Sequence, residues 1–274
     1  MVENIGELEL NKIYCIDCLD GIKKLPDNSI DLIVTDPPYF IENLKEDLKD
    51  QTIRRSSQNS IFHADWDSSF EDLDAYQYFI AKLLKEFRRV LKPKGQVYMF
   101  FSYHHLHWAR EMIEKKEFRF YKYLIWYKPD IMGVFPNQYG CNYEVVMWFR
   151  NDQRFGEVKL NIGCKQRDVF TCNSTNIRYR KECGFHPTPK PKEIIKSLVR
   201  NGSDEGDVVL DAFMGSGTTA VACKETNRKF IGFELNPDYI KIAEKRLSQE
   251  QLNTDWFENT TPSNDQELKG GEAE

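Results

Sequence analysis

Asp36-Pro37-Pro38-Tyr39-Phe40 is the segment of this chain best suited to chemistry. Two consecutive prolines have a fixed φ and no N–H to donate, so the turn is stiff and presents its carbonyls as acceptors. The exocyclic amine of an aromatic ring is a poor nucleophile because its lone pair is delocalised into the ring. If the Asp36 carboxylate and the Pro37 carbonyl accept its two N–H bonds, the nitrogen is drawn toward sp³ geometry and its lone pair faces an electrophile. Tyr39 can stack on the ring, and Phe40 can assist. An isolated Pro-Pro turn with a strand-end Asp reads more simply as a rigid connection with a helix cap. Asp before it, Tyr after it and the buried-type run Ile30 to Thr35 leading in favour the chemical reading.

A second constellation lies far along the chain, in Val208-Val209-Leu210-Asp211-Ala212-Phe213-Met214-Gly215-Ser216-Gly217-Thr218-Thr219. It reads as a strand, a glycine turn and a helix start, with Gly215 and Gly217 allowing a tight turn and Thr218 and Thr219 suiting the first helical turn. It is neither the G-x-G-x-x-G of dinucleotide enzymes nor a G-x-x-x-x-G-K phosphate loop, so phosphate binding is disfavoured. The next apolar run ends on Glu234, 17 positions beyond Gly217. A carboxylate there can accept both ribose hydroxyls of a nucleoside or simply cap the helix after Asn236-Pro237, and beside the glycine turn the nucleoside reading is favoured.

Both motifs need strands to carry them. Seven apolar runs read as strands: Lys12 to Asp17, Ile30 to Thr35, Gln96 to Ser102, Tyr121 to Tyr127, Glu144 to Phe149, Val208 to Ala212 and Phe230 to Glu234. Helical patterns occupy Asp74 to Leu91, His105 to Lys116, Lys192 to Asn201, Thr218 to Thr226 and Asn236 to Gln251. Alternation of this kind predicts an α/β fold with a seven-stranded, mostly parallel sheet and helices on both faces. Ligands then bind at the carboxyl ends of the strands, the edge to which both motifs belong. His104, His105 and His107 follow the third strand on that edge and read as solvated or helix-packing.

The 274 residues, 41% apolar, are expected to form one large domain over residues 1–250, with a mobile loop at 40–65 and a disordered acidic tail at 251–274. No run reaches the roughly 18 to 20 apolar residues of a membrane span, and residues 1–4 lack a signal-peptide layout, so a cytoplasmic protein without a membrane partner is expected. Seven irregularly spaced cysteines read as reduced thiols. Neither Cys15-x-x-Cys18 nor Cys164, Cys172, Cys183 and His186 fits a compact zinc module, so no metal is expected. The net charge of −5 conceals a division: residues 250–274 hold seven acids and one Lys, whereas residues 150–200 hold twelve Lys and Arg against five acids. Such a basic stretch is either a solvated surface or a phosphate contact, and charge alone leaves the choice open.

The order Asp-Pro-Pro-Tyr followed by Asp-x-Phe-x-Gly-Ser-Gly-Thr-Thr resembles the beta group of DNA amino-methyltransferases over about residues 12–247. Cys15-Ile16-Asp17-Cys18, Val90-Leu91-Lys92-Pro93-Lys94-Gly95, Trp126-Tyr127-Lys128 and His186-Pro187-Thr188-Pro189-Lys190-Pro191 match as well. The resemblance implies a Rossmann-like methyltransferase fold with circularly permuted motif order. It also implies transfer of the methyl of S-adenosyl-L-methionine to a base flipped out of DNA. Asp36, Pro37, Pro38 and Tyr39 would be catalytic. Asp17 would bind the cofactor's adenine and Glu234 its ribose. Phe213, Gly215, Gly217 and Thr218 would line its methionine side with Thr188 and Lys190 nearby, and Cys18, Asp36, Asp211, Ser216, Thr219 and Asn236 would be further cofactor-binding residues.

In that family Asp at position 36 goes with adenine N6 and Ser with cytosine N4. A short target-recognition insert would span 151–185. Its Lys165, Gln166, Arg167, Asn173, Asn176, Arg178 and Arg180 are suited to base edges or phosphates, together with Phe40, Arg54 and Arg55. Implied partners are DNA and a second copy or a cognate restriction or recognition subunit, in a nucleoid-associated enzyme of a restriction-modification system or a solitary one. The rival readings are an N4-cytosine or an RNA adenine methyltransferase and a non-catalytic DNA-binding or regulatory subunit that keeps the fold.

Overall fold

The computed structural model describes residues 3–40, 70–130, 141–151, 167–173 and 189–260. The loop expected at 40–65 lies outside them apart from Phe40, as does the insert expected at 151–185 apart from residues 151 and 167–173.

The strands are β1 (Asn4–Ile5), β2 (Leu8–Glu9), β3 (Lys12–Cys15), β4 (Ile30–Thr35), β5 (Leu91–Phe101), β6 (Arg119–Tyr127), β7 (Tyr143–Arg150), β8 (Val169–Thr171), β9 (Val208–Asp211) and β10 (Lys229–Glu234). The helices are α1 (Cys18–Lys23), α2 (Leu73–Val90), α3 (Leu106–Lys115), α4 (Lys192–Gly202), α5 (Thr218–Lys224) and α6 (Pro237–Thr260). β1 and β2 form a small antiparallel hairpin, and the other strands form one sheet in the order β3-β10-β9-β4-β5-β7-β6-β8. Every neighbouring pair is parallel except β5–β7 and β6–β7, so β7 alone runs against the rest.

All seven expected strands are present. The sheet has eight rather than seven because the three-residue β8 pairs in parallel with β6, and a run that short carries no readable period. The same brevity hid the six-residue α1 and the β1–β2 hairpin. β5 begins five residues earlier than expected, since Leu91 pairs with Ile30 before the Lys92-Pro93-Lys94-Gly95 excursion. Asn151 secures that excursion by donating to the Leu91 carbonyl at 2.6 Å. The final helix runs to Thr260, so the tail expected from residue 251 does not begin there. Between Asp238 and Thr261 no Gly or Pro interrupts the pattern, and Pro262 is the first helix breaker.

Two apolar layers cover the sheet. On one face Tyr76, Ile80, Leu83, Leu84 and Phe87 of α2, with Ile22 of α1 and Ile113 of α3, pack on Ile33, Val97 and Met99. On the other, Ile194, Leu198 and Val199 of α4, Ala220 of α5 and Ala243 of α6 pack on Leu32, Val34, Tyr98 and Phe100. The α2 spacing is that of one helical face, and the strand residues divide by alternation. β4 is buried almost throughout because both layers close over it.

Gly21 of α1 lies against the fully buried ring of Phe233: a Cβ there would stand 2.5 Å from a ring carbon. Gly21→Ala should therefore lower stability by about 1–3 kcal/mol through overpacking, read as a lower urea midpoint at unchanged slope.

Candidate active site

β4 and β9 lie side by side at the centre of the sheet, and the chain leaves them in opposite directions, from β4 to β5 and from β9 to β10. A crevice opens at such a reversal. Here it is open to solvent and is lined by Asp36 and Lys190 together with Asp211, Phe213, Gly215, Ser216, Thr218 and Thr219.

The two strand ends are tied together by side chains. Thr35, the last residue of β4, donates its hydroxyl to Asp211 Oδ1 at 3.0 Å and accepts from the Ala212 N–H at 3.2 Å. Asp211 Oδ1 also accepts from the Phe213 N–H, and Oδ2 accepts from Thr219 at 2.6 Å. Burial pushes the Asp211 carboxyl up to about 6, against the lowering effect of these donors. The glycine turn follows. Gly217 has φ +82°, and a Cβ on it would stand 2.5 Å from that of Ala243, so this glycine serves the left-handed turn and the close packing of α6. Gly215 donates its N–H to Glu234 Oε2 at 2.8 Å, while Oε1 accepts from the Asn236 N–H at 2.8 Å. A carboxylate has about four acceptor positions, so capacity remains for a ligand hydroxyl. Burial raises the Glu234 pKa, and those N–H groups oppose the rise.

The Asp36 turn is held from both sides. Tyr76 of α2 donates its hydroxyl to the Pro38 carbonyl at 2.9 Å. His105 Nε2 lies 2.5 Å from the Phe40 carbonyl, and Trp108 Nε1 donates to His105 Nδ1 at 3.4 Å. A carbonyl only accepts and an indole N–H only donates, so the proton is assigned to Nε2. Asp36 Oδ2 pairs with Lys190 Nζ at 2.6 Å, and the side chain keeps 28% of its exposure. Asp36 Oδ1 is buried with no donor at ordinary hydrogen-bond length, and the nearby Tyr39 hydroxyl lowers the carboxyl. Burial raises the Asp36 pKa, with Lys190 opposing and Glu144 reinforcing the rise. Burial and the neighbouring carboxylates lift Tyr39 well above its ordinary value, so its hydroxyl stays neutral.

Glu144 of β7 entered the sequence reading only as the start of a strand, with no site role. It stands 3.2 Å from Lys190 Nζ through Oε2 and 3.1 Å from Lys128 Nζ through Oε1. Burial would raise its carboxyl, but the two ammonium groups bring it below the ordinary range. The same carboxylates raise Lys190 against the effect of burial, so it is a fixed cation. In sequence Glu144 is one polar position in an apolar strand, and nothing local distinguishes it.

Several expected ligand contacts take other forms. Cys18 is buried in the core, its thiol pushed up to about 12 by burial, so its side chain packs α1 instead of meeting a cofactor. Asn236, expected among the cofactor-binding residues, caps α6 by accepting from the Asp238 N–H through Oδ1. Asp17 Oδ1 caps α1 through the Leu19 and Asp20 N–H groups. Phe40 stacks on Tyr76 and His105, facing the core and not a DNA surface. His105 is helix-packing, as its position suggested. Arg167 and Asn173 are exposed at the entry and exit of β8, so only Asn173 shares the crevice edge. Arg54, Arg55, Lys165, Gln166, Asn176, Arg178, Arg180 and Thr188 lie outside the described residues.

A parallel sheet with one reversed strand, a glycine turn leaving a central strand and an acid ending its neighbour together define the class I methyltransferase fold. Solved structures agree: M1.HpyAVI in complex with SAM matches at TM-score 0.61 and 22% identity over 86% of this chain and 98% of that one. PvuII DNA methyltransferase, which is cytosine-N4-specific, matches at TM-score 0.64 and 19% identity over 89% and 90%. The DNA methylase family model matches residues 30–245. Type II methyltransferase M2.DpnII of Streptococcus pneumoniae is 34% identical over 259 residues, 88% of this chain and 91% of that protein. M.HinfI of Haemophilus influenzae is 31% identical over 91% of this chain and 71% of its own length. The chain belongs to the DNA methylase family, and it is a DNA methyltransferase. None of its described helices is long and apolar enough to cross a membrane.

Asp211 supplies a pH test of this architecture. Its folded pKa of about 6 exceeds the ordinary aspartate value of 3.8, so between those values the folded state holds the proton more tightly and stability falls as pH rises. In urea unfolding without ligand, Asp211→Asn should gain on the wild type by about 1–3 kcal/mol between pH 4 and pH 7. A pH-independent gap would mean that Asp211 is not held protonated by burial.

Proposed function

We propose that this enzyme methylates adenine N6 at a specific DNA sequence after the base leaves the duplex. The observation that carries the reading is the buried Asp36 carboxylate at the crevice, held by Lys190 at Oδ2, beside a carbonyl-rich turn and across from the glycine motif. Beyond the Tyr39 hydroxyl, the carboxylate keeps acceptor capacity that an amino N–H of the base would fill.

The crevice fits S-adenosyl-L-methionine. Its glycine turn has no lysine of a phosphate loop, and the Glu234 oxygens at the β10 end are available to ribose hydroxyls. When bound, the donor supplies a methyl group on a sulfonium sulfur, and S-adenosyl-L-homocysteine remains after transfer. Asp36 Oδ1 accepts one amino N–H and the Pro37 carbonyl accepts the other, which localises the nitrogen lone pair. Tyr39, neutral and partly buried, stacks on the base and keeps water from the nitrogen. As the N–C bond forms, the nitrogen becomes cationic and Asp36, with its raised pKa, is suited to take the released proton on its way to solvent. Pro38, anchored by Tyr76, holds the turn in place.

Asp17, Thr188, Lys190, Asp211, Phe213, Gly215, Ser216, Gly217, Thr218, Thr219 and Glu234 make up the proposed donor site, some by contact and some by building its walls, while Asp36 at its edge serves the base. Residues 1–250 form the catalytic domain in this reading. The basic 151–185 stretch with Arg54 and Arg55 grips DNA, and the Type II relatives favour a restriction-modification setting with a cognate restriction partner. A homodimer and a cytoplasmic, nucleoid-associated address accord with that setting.

Fold does not separate adenine from cytosine, since the cytosine-N4-specific PvuII enzyme matches well; the choice of adenine rests on Asp rather than Ser at position 36. Incubation with labelled S-adenosylmethionine and unmodified DNA should yield N6-methyladenine, and N4-methylcytosine alone would refute the base assignment. Asp36→Ala should cut transfer by more than about a hundredfold with cofactor affinity nearly unchanged, because Asp36 acts on the base. Glu234→Ala should instead weaken cofactor binding by roughly ten- to a hundredfold, as loss of hydrogen bonds to a charged group does. A collapse of cofactor affinity in Asp36→Ala would overturn the division of roles.

A further inference from the structure

Lys190 does not belong to Asp36 alone. Its ammonium is 2.6 Å from Asp36 Oδ2 and 3.2 Å from Glu144 Oε2, and Glu144 is in turn 3.1 Å from Lys128 through its other oxygen. The four groups form a line, Asp36, Lys190, Glu144, Lys128, reaching from the catalytic turn across to β7 and the end of β6. Two cations and two anions cancel, which is how such a line can sit in a partly desolvated place.

A lysine held by Asp36 alone would be a poor neighbour for catalysis. Directed wholly at the carboxylate, its charge would draw electron density from the oxygens that must accept the amine's hydrogens. We propose that Glu144 is a positioning residue that takes a share of the Lys190 ammonium, leaving Lys190 able to orient Asp36 without weakening it as an acceptor. Lys128 sets how strongly Glu144 pulls. This rests on the reading of Asp36 as the acceptor for the base amine.

Asp36 is faced by Lys190 from the segment before α4, by Glu144 from β7, by Tyr39 from its own turn and by Asp211 from β9. With those neighbours constant, two substitutions must move Asp36 in opposite directions. Glu144→Gln gives Lys190 wholly to Asp36. Lys128→Met leaves Glu144 to pull harder on Lys190 and loosens its hold on Asp36.

The experiment is the pH profile of kcat/KM for DNA with the full-length enzyme, whose acid limb reports the free enzyme. Glu144→Gln should move that limb down by about one pH unit and lower the plateau about tenfold, whereas Lys128→Met should move it up. Glu144→Asp should restore the limb toward wild type, and S-adenosylhomocysteine affinity should be unchanged throughout. Unmoved limbs, or shifts in the same direction, overturn the proposal. If Glu144→Gln does not fold, the Lys128→Met profile decides alone: an upward shift supports the proposal and an unmoved limb refutes it. Asp36→Ala is run alongside: if it keeps activity, the acceptor reading itself fails, whereas loss of activity with unmoved limbs sinks only the role of Glu144.

Discussion

The hydrogen bond between Thr35 and Asp211 joins the two halves of the site. Thr35 immediately precedes the Asp36 turn, and Asp211 immediately precedes the glycine turn, 176 residues later. Because β4 and β9 are adjacent and parallel, each strand can slide only in steps of its pleat, and this contact selects one step. Thr35 both donates to Asp211 and accepts from Ala212, so neither strand end can shift without stranding a buried polar group. The distance between an amine bound at Asp36 and a donor bound at the glycine turn is therefore a property of the sheet, and no loop needs to search for it.

Around that fixed pair the protein uses two different means of support. On the α2–α3 side the support is aromatic: Tyr76, Phe101, His105 and Trp108 pack together, and two of them also hold backbone carbonyls of the catalytic segment. A cluster of rings is stiff because each has few rotamers and each is wedged by its neighbours. On the β7 side the support is ionic, through Lys190 and Glu144. Buried ion pairs seldom add net stability, since desolvation offsets the attraction. Their value here is directional: the carboxylate is held at one oxygen while the other stays ready to accept a ligand hydrogen.

Much of the fold could be read from the pattern of residues. Seven strands and five helices stand where apolar periodicity and turn signals put them, and the active edge follows from parallel topology. What stayed hidden has physical causes. β8 and α1 are shorter than the window over which a period can be recognised. The continuation of α6 to Thr260 lies in a stretch whose composition resembles a tail but contains no residue that ends a helix. Cys18, Phe40 and Asn236 stand within motifs yet turn to the core or to a helix end, because a motif records spacing and not side-chain direction.

The sequence by itself determined the chemistry on offer: a rigid Asp-Pro-Pro-Tyr acceptor turn, a glycine turn suited to a nucleoside, and an acidic strand end beside it. These are local arrangements, in which neighbours in the chain are also neighbours in space. Tertiary structure alone decided that Asp36 would face Lys190 and that Lys190 would be shared with Glu144, residues separated in sequence by tens to more than a hundred positions. Side chains that far apart meet only through the order and register of strands, and register is settled by the packing of the whole sheet. The Asp36 carboxylate was therefore legible as a residue, while its strength as an acceptor belongs to the fold.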